Sequence, residues 1–352
     1  MPTSFHRRLL AWYDANKREM PWRGHPDPFA VWVSEIMLQQ TQVETVRGYF
    51  TRFMAAFPSV DALAAAPQQS VLKAWEGLGY YSRARNLQKA AQALMTHGGT
   101  LPQDSTQWAE LPGVGPYTAA AIASICFGEN APVVDGNVIR VFARFLAWPD
   151  DFRKPPSRAK LADWLKTHIT ASKRPGDFNQ AMMDLGATLC SPRAPACDSC
   201  PLRNDCLARR EGRQDEFPFK PAKKAVPTRI AVAALVRDEC GRVLFVQRTA
   251  EGLLCGLWEL PNEPVTRKPT PRDALLALRE QTGMAASRAE PLGAITHVFS
   301  HFKLLLHVFS VHMPPNFACP APSDTRPPSS LCLPSDLPLT TATLRALALG
   351  AD

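Results

Sequence analysis

Leu111-Pro112-Gly113-Val114-Gly115, followed by an apolar helical run from Tyr117 to Ile125, decides how this chain folds. Two glycines let the backbone turn tightly and leave consecutive N–H groups free at the start of the next helix. Such a cradle holds an anion, and a phosphate fits it. Backbone donors read no base edge, so Gly113, Val114 and Gly115 would position DNA without specifying sequence. Taken alone, the stretch also suits a plain turn between two helices.

On either side the pattern stays helical. Phe29–Phe50, Val71–Leu94, Val138–Trp148 and Lys160–Ile169 carry apolar residues at helical spacing. Turn signals separate them at Gly24-His25-Pro26, Phe57-Pro58-Ser59, Gly98-Gly99 and Lys154-Pro155-Pro156. Met1 to Lys17 reads as an amphipathic helix and not as a leader. Residues 1–210 are therefore expected to form an all-α domain. Residues 211–228, with Pro218, Pro221, Pro227, Lys220, Lys223 and Lys224, predict an exposed linker. Beyond it the period changes. Ile230–Val236 and Val243–Gln247 read as strands around the turn Asp238–Gly241, Arg272–Gln281 as a helix, and Ala294–Phe299 and Lys303–His312 as strands. Residues 313–338 are Pro-rich and expected to be irregular. Residues 229–352 thus predict a smaller α/β domain.

Four cysteines, Cys190, Cys197, Cys200 and Cys206, share seventeen residues as C-x6-C-x2-C-x5-C. The other five, Cys126, Cys240, Cys255, Cys319 and Cys332, are scattered. Four thiolates on one loop suit a single [4Fe–4S] cube. They also suit zinc, although zinc ribbons usually use two separated C-x2-C knuckles and one is present here. Without a signal peptide, a reducing cytoplasmic setting is expected, which argues against disulfides. No apolar run is long enough to span a membrane. The net charge of +8 is uneven: residues 1–225 hold 28 Lys and Arg against 21 Asp and Glu, and residues 226–352 hold 12 against 11. The positive field belongs to the helical part and points to a polyanion partner.

The glycine turn, Val134-Asp135-Gly136-Asn137 and the cysteine loop together resemble the helix–hairpin–helix DNA glycosylases. Pro21-Trp22-Arg23 and Trp32-Val33-Ser34-Glu35-Ile36-Met37-Leu38-Gln39-Gln40-Thr41-Gln42 narrow the resemblance to the MutY family of adenine DNA glycosylases. It covers nearly the whole chain. It implies a monofunctional enzyme of base excision repair. Such an enzyme hydrolyses the N-glycosidic bond of adenine mispaired with 8-oxoguanine or guanine and leaves an abasic site. It implies a [4Fe–4S] cluster on the four cysteines, double-stranded DNA as partner, and a monomer.

The residues themselves support acid chemistry. Glu35 lies in an apolar segment with Val31, Trp32 and Leu38 at helical neighbours, so desolvation should raise its pKa. A general acid near neutral pH needs that shift. Asp135 stands at the expected N-cap of the Val138–Trp148 helix, where amide bonds and the dipole favour its anion. The two carboxyls are expected to be pushed in opposite directions. In the implied reaction Glu35 protonates adenine N7 and later activates water. Asp135 stabilises the oxocarbenium-like sugar, by charge or as a transient covalent partner, and Asn137 supports the carboxylates. Tyr117 stands where the related bifunctional enzymes hold a lysine, and tyrosine forms no Schiff base. The resemblance therefore implies base removal without strand cleavage.

Further roles come only from the resemblance. Gln40 and Tyr80 match residues that fill or wedge the base stack after the adenine is flipped out. Trp22, Arg23 and Gln180 match residues lining the adenine pocket. Gly77-Leu78-Gly79-Tyr80-Tyr81-Ser82-Arg83-Ala84-Arg85 fits DNA contact, its arginines meeting phosphate. The C-terminal part resembles a Nudix fold. At its catalytic box it reads Leu276-Ala277-Leu278-Arg279-Glu280-Gln281-Thr282-Gly283, with one glutamate where three are needed. A divalent cation would find too few oxygens, so a recognition module is expected. Phe299-Ser300-His301 matches the family's 8-oxoguanine loop. Ser300 could accept the N7–H that 8-oxoguanine has and guanine lacks.

Overall fold

The computed structural model describes residues 5–24, 27–219, 226–248, 252–314, 317–318 and 326–350. Met1–Ser4, His25, Pro26, residues 220–225 of the expected linker and Cys319 lie outside the described residues. In chain order the helices of the first part are α1 (Phe5–Asn16), α2 (Pro28–Leu38), α3 (Val43–Ala56), α4 (Val60–Ala65), α5 (Gln68–Ala74) and α6 (Ser82–Thr96). They continue with α7 (Ser105–Ala109), α8 (Pro116–Phe127), α9 (Gly136–Phe145), α10 (Pro155–Ser172), α11 (Pro175–Thr188) and α12 (Leu207–Arg210). Then come β1 (Thr228–Leu235), β2 (Val243–Gln247), β3 (Trp258–Glu259), β4 (Asn262–Val265) and α13 (Pro271–Thr282). The chain ends with β5 (Arg288–Val298), β6 (Lys303–His312), β7 (Ser329–Cys332) and α14 (Thr341–Leu347).

By contacts the chain forms two compact units, Met1–Ala65 with Asn86–Ala222, and Ala66–Arg85 with Lys223–Asp352. Residues 66–85, which the sequence reading joined to the helical domain, group with the second unit. Two expected long helices are each broken in two. The run Phe29–Phe50 splits into α2 and α3, because Gln39-Gln40-Thr41-Gln42 supplies no apolar anchor and Gln40 turns to a φ of 59°. The run Val71–Leu94 splits into α5 and α6 at Gly77 and Gly79, with φ of 90° and 75°.

The first unit is all helix. α1, α8, α9, α10 and α11 contribute Phe5, Leu9, Ala121, Phe142, Leu165, Phe178 and Leu185 to one buried cluster. Gly186 on α11 permits close approach to α9: a Cβ there would lie 2.6 Å from Asn137 Cβ.

The second unit holds a mixed sheet in the order β4-β1-β6-β5, with β1 and β6 parallel, and a three-stranded antiparallel sheet in the order β3-β2-β7. Successive side chains of β1 alternate between faces. Ala231, Ala233 and Leu235 join one cluster with Phe245 and Ala346; Val232 and Ala234, with Val236 just beyond the strand, join another with Ala274, Ala277 and Leu278 of α13. β7 falls in the stretch expected to be irregular: Leu331 and Cys332 pair with Leu244 and Val243, which gives this Pro-rich segment a ladder to complete. Among the described residues no helix is long and apolar enough to cross a membrane.

Candidate active site

α2 carries Glu35 into the first unit. Asp27 caps its start, accepting from the Phe29 N–H at 2.9 Å, and Pro28 sits at its first position. The helix is apolar on nearly every side, so Glu35 is 4% exposed. Burial pushes its pKa up to about 7; Asp135 adds to the rise, while Tyr117 and Arg23 oppose it. The Tyr117 hydroxyl, on α8, donates to Glu35 Oε2 at 3.0 Å and also reaches Met183 Sδ at 3.4 Å. Burial and the neighbouring carboxyls hold the Tyr117 phenol well above its usual range, so it stays a donor.

Glu35 and Tyr117 open onto a cavity of about 370 Å³, which Trp22, Arg23 and Gln180 also line. These three expected pocket residues are thus brought together with the acid. Trp22 is buried and packs edge-on against Phe50 at 5.4 Å. Arg23 is committed inward. Its guanidinium donates to Asp184 at 2.6 and 3.0 Å, beside Arg18, which donates to the same carboxylate at 2.5 and 2.8 Å. Asp184 is fully buried, so two guanidinium groups satisfy one desolvated anion.

Asp135 caps α9, accepting from the Val138 N–H at 2.7 Å on one oxygen and from Asn137 Nδ2 at 2.8 Å on the other. The expectation that its pKa falls is corrected. These bonds and Arg140 do lower it, but burial outweighs them and the net shift is upward. Both carboxyls are therefore raised, and they differ in support: donors from two residues hold the Asp135 anion, whereas Glu35 has one phenol. Asn137 is held in turn by Arg140, which donates to Asn137 Oδ1 at 2.7 Å, to the Gly186 carbonyl at 2.8 Å and to the Cys190 carbonyl at 2.7 Å. A continuous polar chain links Asp135 to the cysteine loop.

Gln40, just past α2, is exposed. The glycine turn before α8 forms as expected. Gly113 adopts a φ of 78°, where a Cβ would meet Asn86 Cβ at 2.6 Å; Val114 is buried, and Gly115 caps the helix. The free amide end of α8 therefore stands at the mouth of a twelve-residue helix.

Cys190, Cys197, Cys200 and Cys206 all line one small cavity with Arg144. Among the described residues no three His, Cys, Asp or Glu side chains already stand close enough to hold an ion. Burial pushes the Cys200 thiol up to about 11 and Cys206 upward as well. Arg144 suits such a centre. It is 2% exposed and donates to Cys190 Sγ at 3.4 Å and to the carbonyls of Ser191, Pro192, Gln214 and Phe217. It has no carboxylate partner among the described residues. A buried cation without a counter-ion is costly, and an anionic centre held by the thiolates would answer it. Asp184, Arg140 and Arg144 were missed in the sequence. Their signal was a charge on an otherwise apolar helix face, as in Val141-Phe142-Ala143-Arg144-Phe145.

In the second unit, Phe299-Ser300-His301 forms the turn between β5 and β6, with the Phe299 N–H bonded to the Phe302 carbonyl at 2.8 Å. Ser300 and His301 sit exposed at its tip. The base of the turn is a column of rings: Phe299 stacks on Phe302 at 4.6 Å, and Arg229 lies over Phe302 at 4.3 Å. Tyr80, also of the second unit, brings its hydroxyl 3.1 Å from Ser300 Oγ. At the altered Nudix box, Gln281 donates to Glu263 at 2.7 Å.

Residues 33–167 match the family model of the HhH-GPD superfamily of base excision DNA repair proteins, and residues 231–348 match the NUDIX domain. The adenine DNA glycosylase of Mus musculus is 37% identical, over 93% of this chain and 73% of its own length. That of Homo sapiens is 38% identical, over 88% and 67%. The chain belongs to the adenine DNA glycosylases. A solved thermostable thymine-DNA glycosylase matches 59% of this chain and 95% of its own, with a TM-score of 0.54 and 27% identity. A non-covalent complex of endonuclease III with DNA matches with a TM-score of 0.51 at 24% identity, over 60% and 98%, which shows the shared fold. This glycosylase is a helix–hairpin–helix enzyme of base excision repair joined to a Nudix-like domain.

Proposed function

We propose that this enzyme hydrolyses the N-glycosidic bond of adenine mispaired with 8-oxoguanine, or with guanine, in double-stranded DNA. It acts as a single chain and leaves an abasic site. The observation that carries the reading is Glu35: a buried carboxyl with a pKa of about 7, bonded by Tyr117, on a cavity of about 370 Å³. At neutral pH a large fraction is protonated. Flipped into that cavity, adenine would take the Glu35 proton at N7 and become a good leaving group. Asp135, held by Val138 N–H and Asn137, would stabilise the positive charge that develops on the sugar. Glu35, now ionised, then takes a proton from the attacking water. Tyr117 offers no amine, so no Schiff base forms and the strand stays intact.

Trp22, Arg23 and Gln180 would shape the adenine pocket, while Gln40 and Tyr80 would fill or wedge the stack the base leaves. Gly113, Val114 and Gly115 would hold a phosphate by backbone N–H groups. Phe299, Ser300 and His301 would read the opposite base. Cys190, Cys197, Cys200 and Cys206 would hold one [4Fe–4S] cluster, with Arg144 as counter-charge; when bound, that group supplies an anionic cross-link for the loop.

The test is a duplex with one A:8-oxoguanine pair. Breakage at the adenine only after hot alkali is expected. Breakage without alkali, or an untouched duplex, overturns the reading.

A further inference from the structure

The loop joining α5 to α6 leads into Arg83, which the sequence reading placed against phosphate. The structure turns it inward: Arg83 is 7% exposed. Its guanidinium lies between the rings of Trp75 and Tyr80, at 5.4 and 5.5 Å. Nη2 donates to the carbonyls of Leu78 at 3.3 Å and Gly79 at 3.0 Å, and Nε donates to that of Tyr80 at 3.4 Å. A phosphate cannot reach a guanidinium so enclosed. Three successive carbonyls converge because the backbone is left-handed at Gly77, Gly79 and Tyr80, with φ of 90°, 75° and 48°. Glycine takes that conformation freely; a tyrosine resists it and must be held there. Tyr80 nevertheless keeps 45% of its surface exposed, with its hydroxyl beside Ser300.

We propose that Arg83 is a positioning residue that holds Tyr80 against Ser300 and so sets the preference for the base opposite the adenine. The proposal rests on the reading that Tyr80 and Ser300 meet that base. Arginine suits the task because its planar fork donates to several carbonyls while its faces stack on rings. Lysine keeps the charge but lacks the planar fork and the faces that stack on rings.

The test uses the full chain with its iron, and duplexes in which the adenine nucleotide is replaced by a hydrolysis-resistant 2′-fluoro analogue. The ratio of Kd opposite guanine to Kd opposite 8-oxoguanine is measured, with Tm beside it. Arg83→Lys and Arg83→Met should each reduce the ratio about fivefold, the scale of one ordinary hydrogen bond. In a Tyr80→Ala background, Arg83→Met should change the ratio no further. A lowered Tm with the ratio unchanged would make Arg83 purely structural and overturn the proposal, while leaving the reading of Tyr80 intact provided Tyr80→Ala lowers the ratio. If Tyr80→Ala leaves the ratio unchanged, the reading beneath fails and the proposal falls with it.

Discussion

The helical unit hides its key side chain, and the second unit displays its own. Glu35 is 4% exposed on a cavity floor; Ser300 and His301 stand at the open tip of a two-residue turn. The difference fits the proposed tasks. Protonating a base near neutral pH needs a carboxyl whose pKa stands far above the usual carboxylate range, and desolvation of this depth puts it there. Telling one base from another needs a donor or acceptor at the right place, and an exposed hydroxyl suffices. Mutations should therefore have large effects in the buried site and small ones at the turn.

Glu35→Gln gives the largest effect. It keeps the shape and removes the proton, so single-turnover adenine release should fall about a thousandfold. In the wild type the rate should fall as pH rises through Glu35's pKa of about 7. Near-wild-type release in the variant would erase the contrast between the units. Stability has the same root. With the folded pKa raised from 4.5, Glu35 contributes stability below pH 4.5 that is lost as pH rises through about 7. Glu35→Gln should therefore melt above the wild type at pH 8 and lose that advantage at pH 4.

Asp135→Asn comes next. Asparagine still caps a helix, so a purely structural Asp135 would leave activity alone. Loss of one preorganised anion predicts a drop of about a hundredfold in excision rate with little change in Tm. Because burial raises the Asp135 pKa, its anion is lost on acidification, which gives the wild-type profile an acid limb that the variant lacks.

Much of this was legible in the residues. Glu35 announced itself as an acid on an apolar face, Asp135 as an N-cap, and the glycine turn as the start of α8. The breaks in the long helical runs were less so. Apolar spacing resumes on either side of Gln39–Gln42 and Gly77–Tyr81, which masks the turns that φ at Gln40, Gly77 and Gly79 makes. The direction of the Asp135 shift was misread because hydrogen bonds follow from local sequence, whereas burial depends on helices far away in it. The partners of Arg144 and Asp184 were invisible for a related reason: a lone charge in an apolar run signals burial but gives no hint of what answers it.

Arg144→Met probes the cysteine loop of the helical unit. About four irons per chain are expected in the wild type. Removing the buried counter-charge should lower iron content by about half or more, read by metal analysis and visible absorbance. Unchanged iron would mean that carbonyls alone satisfy the guanidinium. One zinc per chain, without iron after anaerobic purification, would refute the cluster itself.

Ser300→Ala should have the smallest effect, and it tests the exposed side of the contrast most directly. The turn is held by the Phe299 to Phe302 bond and by the stacked rings, none of which involves the serine hydroxyl. Removing it should leave Tm unchanged. On the proposed reading it deletes one acceptor for the N7–H of 8-oxoguanine, worth about 1 kcal/mol for an ordinary hydrogen bond, or roughly fivefold in Kd. Guanine N7 has no hydrogen to donate, so binding opposite guanine should barely move. Adenine release at saturating enzyme should also hold, because Glu35 and its cavity lie within the other unit. Equal losses on the two duplexes would mean that the hydroxyl serves the turn or its bond to Tyr80 and does not read the base.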